Sequence, residues 1–178
     1  MWESLLTSLV VGVVSGVIAS YLFLQNYLKK TVPKIVLSEE IAKSEFDGEI
    51  NHFFKFVNMT NCEIFDVRVE LTLYKPKGAV GGINLQGTDI ILKDDFFSYL
   101  SEKDPNDQRN LHAVQVRTTE NIEEMWEDES AFVRLTIIAR HSLSGLNKVF
   151  VQDYMSKDLI KSGKFRSGDD TSVYLING

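Results

Sequence analysis

The chain has 178 residues, a length that suits one compact domain with a small appendage. Its composition, 44% hydrophobic and 25% charged, excludes a largely disordered protein. The net charge of −6 disfavours a nucleic-acid-binding protein that depends on overall positive charge, so we expect no DNA or RNA duplex as a partner.

The N-terminal segment is the most apolar part of the chain. Leu5 to Leu24 carry no charge, and a helix of about 20 residues spans about 30 Å, the thickness of the hydrocarbon core of a bilayer. Trp2 precedes this run, and Tyr21 and Tyr27 lie towards its other end, where interfacial aromatic side chains are typical. A cleaved signal peptide is the alternative, but it normally begins with a basic segment, which this sequence lacks. We therefore expect a retained transmembrane helix with the lipid bilayer as its partner.

Charges at the two ends of this helix predict its orientation. Glu3 is the one charged residue before the apolar run, whereas Lys29, Lys30 and Lys34 follow it. The positive-inside rule places the lysine-rich end in the cytoplasm. We therefore expect a single-pass protein of the inner membrane with its N-terminus outside and its main domain in the cytoplasm. The single cysteine, Cys62, agrees, because it offers no intrachain disulfide.

Small residues recur at every fourth position of the predicted helix. Residues four apart lie on one ridge, and small side chains there let two helix backbones approach closely, as in G-x-x-x-G packing. The alternative is that the ridge has no partner, since small residues are common in membrane helices. We predict self-association into a homo-oligomer through this ridge, which consists of Ser8, Gly12, Gly16 and Ser20.

The sequence divides into three segments. We expect an anchor over residues 1–30, a linker over 31–34 in which Pro33 ends the helix, and a cytoplasmic domain over 35–178.

Strand patterns dominate this domain. Alternation is clearest over Ile64–Tyr74, where the inward-facing set is Phe65, Val67, Val69, Leu71 and Leu73. We expect the proline and glycine of Lys75–Gly78 to end this strand. The predicted strands are Ile35–Leu37, His52–Val57, Ile64–Tyr74, Ile83–Leu92, His112–Thr118, Phe132–Arg140, Lys148–Tyr154 and Ser172–Ile176.

One segment between the strands has helical periodicity. In Glu120–Asp128 the apolar residues Ile122, Met125 and Trp126 fall on one helical face, and Thr119 is the expected N-cap. About eight short strands with turns between them predict a mainly β fold, a small β-sandwich or barrel with one short amphipathic helix, preceded by a single transmembrane α-helix.

Sequence motifs for catalysis are absent. The chain has no glycine-rich phosphate loop, no H-E-x-x-H and no G-x-S-x-G. One cysteine and three scattered histidines do not match a zinc site. We therefore expect no enzymatic activity, no catalytic residues, no cofactor and no bound metal.

The C-terminal third is a basic region of an acidic protein. Residues 94–130 carry 11 acidic and 3 basic residues, whereas residues 131–178 carry 7 basic and 4 acidic residues. Guanidinium groups, ammonium groups and hydroxyls are the usual ligands of phosphates and carboxylates. The alternative is a solvated strand whose cations pair with acidic neighbours. The candidate site for an anionic ligand comprises Arg134, Arg140, His141, Ser142, Ser144 and Lys148.

The arrangement of one short anchor, a small cytoplasmic β domain and no enzyme motif resembles the small membrane-anchored effectors of prokaryotic antiviral systems. The resemblance implies a domain that binds a cyclic oligonucleotide second messenger, and a membrane part that then oligomerises or perturbs the bilayer. It covers the architecture of the whole chain and assigns no residue a role. The alternative is a non-enzymatic scaffold that tethers a protein partner at the membrane, with the acidic helix around Trp126 as a candidate contact surface.

The predicted orientation can be tested with reporters fused after Gly178. We expect green fluorescent protein to fluoresce there and alkaline phosphatase to be inactive, because the lysines hold this end in the cytoplasm. A variant with glutamine at Lys29, Lys30 and Lys34 is the matched control, and its loss of charge bias is expected to give a mixed orientation. Phosphatase activity in the unmodified chain would contradict the prediction.

Overall fold

The computed structural model describes residues 2–104 and 106–175, and the chain separates into two compact units, Met1–Val32 and Pro33–Gly178. The first unit is helix α1, Trp2–Thr31. Its Trp2–Tyr27 stretch is long and apolar enough to cross a membrane, and the side chains described along that stretch are exposed. The first unit is thus the single apolar helix that the sequence predicts.

The second unit is mainly β, which confirms the predicted fold class. Ile176, the predicted end of the last strand, lies outside the described residues. Within the described residues, the elements of this unit in chain order are β1 (Ile35–Leu37), β2 (Ile41–Phe46), β3 (Glu49–Asn58), β4 (Ile64–Ala79), β5 (Gly82–Asp89), β6 (Phe96–Leu100), β7 (Ala113–Thr118), α2 (Ile122–Met125), β8 (Phe132–His141), β9 (Asn147–Tyr154), β10 (Ile160–Phe165) and β11 (Val173–Leu175).

These strands form two sheets. In the first sheet β3 pairs antiparallel with β1, β2 and β7, β2 pairs parallel with β10, and β10 pairs antiparallel with β11. In the second sheet β4 pairs antiparallel with β5, β6 and β8, and β8 pairs antiparallel with β9. The two sheets share one apolar core, so the unit is a β-sandwich.

Apolar and polar residues alternate along the strands, so the apolar side chains of each strand lie on one face. These faces form the core. Along β4 the predicted inward residues from Val67 to Leu73 are buried, and along β8 every second residue from Val133 to Ala139 is buried as well. Aromatic rings join the two sheets, since Phe54 of β3 contacts Tyr154 of β9 with ring centroids 5.6 Å apart.

A β-bulge changes the start of β4. Asp66 adopts a left-handed backbone conformation with φ of 49°, and the register against β8 shifts between Phe65 and Arg68. As a result Ile64 is buried and Phe65 is half-buried, so the prediction that Phe65 belongs to the inward-facing set is wrong.

The end of β4 also differs from the prediction. The strand does not stop at Lys75–Gly78 but continues to Ala79 and pairs with β5. Pairing with β8 ends at Tyr74, so beyond that residue β4 has a partner on one side only. An edge of this kind tolerates Pro76, because a missing N–H need not interrupt a ladder.

The short helix is smaller than its periodicity predicts. It spans Ile122–Met125, and its N-cap is Asn121 rather than Thr119. Ile122 and Trp126 are buried as predicted, and the indole Nε1 of Trp126 donates a hydrogen bond to the carbonyl of Ala131 at 3.0 Å. This bond closes the loop between α2 and β8.

A buried hydrogen bond joins the two sheets. The hydroxyl of Tyr154 in β9 donates to the carbonyl of Ser38, between β1 and β2, at 2.9 Å, and burial raises the pKa of this hydroxyl. We expect Tyr154→Phe to lower the free energy of unfolding by about 1–2 kcal/mol, because it removes a buried hydrogen bond and keeps the ring. The measurement is denaturant unfolding of the full chain in detergent. The control is Tyr99→Phe at an exposed position, and equal losses in the two variants would contradict the assignment.

Candidate functional site

The candidate residues lie on the hairpin of β8 and β9. Arg134 and Arg140 alternate with the buried residues of β8, so both lie on the outer face of the second sheet. Six residues of antiparallel strand span about 20 Å, so one phosphate cannot contact both guanidinium groups of a single chain. The two arginines would have to meet different parts of a ligand.

Arg134 belongs to a cluster of aromatic and acidic side chains. Its Nε and Nη2 donate to the two carboxylate oxygens of Asp153, opposite it in β9, at 2.6 and 2.9 Å. Its guanidinium also lies over the rings of Tyr74 and Phe132, 5.2 and 5.4 Å from their centroids. Hydrogen bonding to Asp153 raises the pKa of Arg134. This side chain is thus held by a bidentate ion pair and two aromatic rings.

Arg140 has a weaker attachment. It pairs with Asp66, whose carboxylate is placed there by the bulge in β4, and about half of each side chain is exposed. Exposed ion pairs of this kind contribute about 0–1 kcal/mol to stability. An incoming anion therefore displaces the carboxylate partner of Arg140 more easily than that of Arg134.

The buried side chain of His141 contacts the single cysteine, which is half-buried. Its Nε2 lies 3.0 Å from Sγ of Cys62, and its Nδ1 accepts hydrogen bonds from the amides of Leu143 and Ser144, each at 3.3 Å. Because Nδ1 accepts, the proton of the neutral ring resides on Nε2 and points to the sulfur. Burial lowers the pKa of His141, which keeps the ring neutral.

This arrangement gives His141 a structural role in the turn. In this tautomer Nε2 donates to the sulfur and does not accept the proton of the thiol. Local sequence patterns do not indicate this contact, because 79 positions separate Cys62 from His141.

The remaining hairpin residues do not share one surface. Ser142 and Ser144 lie in the turn, where Oγ of Ser144 accepts from the amide of Leu146 at 3.3 Å. Lys148 lies opposite the inward residue Ala139, so it faces away from Arg134 and Arg140, and its Nζ lies 4.8 Å from the ring centroid of Phe150. The structure brings Arg140, the turn and Lys148 to one end of the hairpin, with Lys148 on the opposite face of the sheet, and places Arg134 towards the other end.

The predicted self-association ridge lies on the exposed surface of α1. Ser8, Gly12, Gly16 and Ser20 are all exposed, and a Cβ atom added at either glycine would meet nothing within 4 Å. The hydroxyl of Ser8 donates to the carbonyl of Ser4 at 2.9 Å. The ridge is thus flat.

A buried lysine that the sequence did not indicate holds the C-terminal loop. Lys55 of β3 is 1% exposed, and its ammonium group donates to the carbonyls of Arg166 and Asp170. Burial lowers the pKa of Lys55, while the carboxylates of Asp170 and Asp169 act in the opposite direction. The role of this lysine is structural. Within residues 2–104 and 106–175, no three His, Cys, Asp or Glu side chains are grouped closely enough to hold a metal ion.

Comparison with known proteins identifies no family for this chain. No protein-family model matches the sequence, and no curated protein is significantly similar to it. Functional inference therefore depends on the geometry of the chain itself.

Proposed function

We propose that the protein is a non-enzymatic, single-pass membrane protein whose β-sandwich lies in the cytoplasm and recognises a ligand, and whose anchor brings several copies together. The observation that carries the proposal is the division of the chain into two units of opposite character. The sandwich buries its own apolar core, whereas the apolar side chains described along α1 are exposed.

The character of α1 supports a location in the membrane. A helix that is apolar all round is stable inside a protein core or a bilayer, and the described side chains of this apolar stretch are exposed. Leu9 and Val13, for example, are 66% and 60% exposed. Glu3 before the apolar stretch and the lysines after it support the inner membrane, with the N-terminus outside and the sandwich in the cytoplasm.

The flat ridge of α1 supports self-association. Gly12 and Gly16 are open on the helix surface, so a second helix can approach there to backbone contact. In the bilayer, such close packing is a main source of helix association, since apolar side chains gain nothing by leaving lipid for another helix.

The ligand that we propose is anionic, with a cyclic oligonucleotide as the specific candidate, and the response is an effector function at the membrane in antiviral defence. The arrangement of one anchor and a small β domain resembles that of the antiviral effectors described above, and this resemblance supports the effector role. Arg140 supports the ligand class, because a phosphate that replaces Asp66 displaces only an exposed ion pair. In a symmetric oligomer, equivalent Arg140 side chains can converge on a symmetric ligand.

One observation favours the alternative function of a membrane-tethered scaffold. On the outer face of the second sheet, Val149 and Val151 are 55% and 48% exposed, and Ile138 lies opposite Val149. Exposed apolar patches of this kind commonly contact protein partners. A scaffold that binds a protein through this face would not need Arg140.

The self-association of α1 is tested by adding bulk to the ridge. We expect the double variant Gly12→Leu, Gly16→Leu to weaken the oligomer by about tenfold or more, equivalent to about 1.4 kcal/mol, because leucine side chains separate the backbones. The measurement is the mass distribution of the full chain in detergent. Val10→Leu with Val14→Leu adds bulk on a different ridge and should leave the oligomer unchanged. If both double variants retain the oligomer, the interface lies outside the ridge.

Ligand recognition is tested by titrating the full chain in nanodiscs with cyclic dinucleotides and trinucleotides at two salt concentrations. One charge-assisted contact is worth about 1.5–3 kcal/mol, so Arg140→Ala should weaken binding roughly ten- to a hundredfold. Arg109→Ala, at an exposed arginine of another loop, is the matched control and should not change binding.

Two results would redirect the proposal. If none of these nucleotides binds, the scaffold function is favoured. Binding that survives the combined loss of Arg134, Arg140 and Lys148 would exclude the hairpin as the site.

A further inference from the structure

We propose a second binding site on this protein, a cleft beside His52 that takes a ligand with a protonated amine or guanidinium group. The cleft encloses about 510 Å³, within the range of about 300–1,000 Å³ that small-molecule sites occupy. It lies between strands β2 and β3 and the segment that leads into α2. The residues that carry the argument are Lys43, Glu49, His52, Glu120, Asn121 and Glu123.

His52 is a buried polar side chain that lines the cleft without a hydrogen-bond partner. It is 1% exposed, and neither ring nitrogen makes a hydrogen bond to any described residue. The backbone of Glu120 lies near the ring and favours its protonated form. The geometry between the two groups does not, however, meet the criteria for a hydrogen bond. Native proteins rarely leave buried polar groups in this state unless the group has a ligand or a water as its partner.

The imidazole is available as a neutral ligand-binding group. Burial lowers the pKa of His52, the carboxylate of Glu123 raises it and the ammonium of Lys43 lowers it. A neutral ring carries one donor and one acceptor nitrogen, and here neither is used by the protein. The acceptor nitrogen suits an ammonium or guanidinium N–H.

Charge around the cleft selects a cation. Three of its residues are glutamates, Glu49, Glu120 and Glu123, whereas Lys43 is the one cation among the described lining residues. Lys43 is already paired with Glu123. The surplus of carboxylates disfavours a phosphate and favours a positively charged group.

An organic cation fits the cleft better than a metal ion. In the described part of the chain, no group of three or more carboxylate, imidazole or thiol side chains is close enough to hold a metal. An ammonium or guanidinium group has several N–H donors spread over a larger volume, so it can reach carboxylates that are too far apart for one metal ion.

The ion pair between Lys43 and Glu123 controls access to the imidazole. Lys43 lies directly opposite His52 in the register of β2 and β3, and the ring nitrogens themselves lie below the surface. The side chains of Lys43 and Glu123 are 30% and 41% exposed, so both can move outward. An entering cation therefore takes the place of the Lys43 ammonium beside Glu123 and reaches the imidazole below.

The ligand chemistry has two possible sources, a free polyamine and an arginine side chain of another protein. The experiment records nuclear magnetic resonance signals of the histidine rings, using the full chain in detergent micelles with ¹⁵N-labelled histidine. The chain has three histidines, so His112 and His141 serve as internal controls. The probes are spermidine and N-acetylarginine amide, and the matched control probe is N-acetylcitrulline amide, which has nearly the same shape without the charge.

We expect a saturable shift of the His52 ring signals with spermidine, with the arginine amide or with both, and no shift with the citrulline amide or inorganic phosphate. A response to the arginine amide alone identifies a protein side chain as the ligand, and a response to spermidine alone identifies a polyamine. The proposal is overturned if His52 responds to neither cation, if it responds equally to the citrulline amide, or if all three histidines shift together.

Variants locate the site within the chain. Glu123→Gln and Glu49→Gln should each weaken the response about tenfold or more, because each removes one charge-assisted contact. Glu127→Gln, at an exposed glutamate outside the cleft, is the matched control and should not change it. Glu49 is exposed, so its variant remains informative if Glu123→Gln does not fold.

This inference is independent of the proposed membrane function. Arg140→Ala is expected to leave the His52 response unchanged, and Glu49→Gln is expected to leave nucleotide binding unchanged. Failure of one site therefore does not imply failure of the other.

Discussion

The antiparallel pairing of β4 with β8 is the interaction on which the rest of the sandwich depends. These two strands contribute a continuous row of inward apolar side chains, and every other strand of the second sheet pairs with one of them. Their register also fixes which polar groups meet on the outer face. The bulge at Asp66 sets its carboxylate beside Arg140, and the last paired residues, Tyr74 and Phe132, form the aromatic platform under Arg134.

Sequence alone predicts the strands whose apolar pattern is strong. Alternation identified β4 and β8, because a strand with one buried face must alternate. It missed β2, β6 and β10, and β2 and β10 pair with each other across more than 100 residues of chain. A partner so distant leaves no local pattern. The same reason hides the bond between Cys62 and His141 and the attachment of Lys55 to the C-terminal loop.

Charge along the sequence is a poor guide to charge in space. The C-terminal third is basic by composition, yet the structure pairs its three arginines with carboxylates, one of which belongs to a distant segment. Arg140 meets Asp66 across 74 positions, and Arg134 meets Asp153 across the hairpin. Conversely, the cleft beside His52 collects carboxylates from β3 and, about 70 residues later, from α2 and the loop before it. Both results follow from strand register, which a linear count of charges does not contain.

Coupling between the sandwich and the anchor sets a condition on the ligand of the proposed function. A ligand shifts an equilibrium only by its difference in affinity for the two states. A ligand held within one sandwich binds a single chain and an oligomer equally, so it cannot drive association of α1. A ligand that bridges Arg140 side chains from two copies binds the oligomer more tightly. Because Arg134 and Arg140 of one chain are about 20 Å apart, a compact anionic ligand gains its second arginine more readily from a second copy. The proposed function therefore requires a ligand that lies between two copies of the chain, as it would in a symmetric assembly.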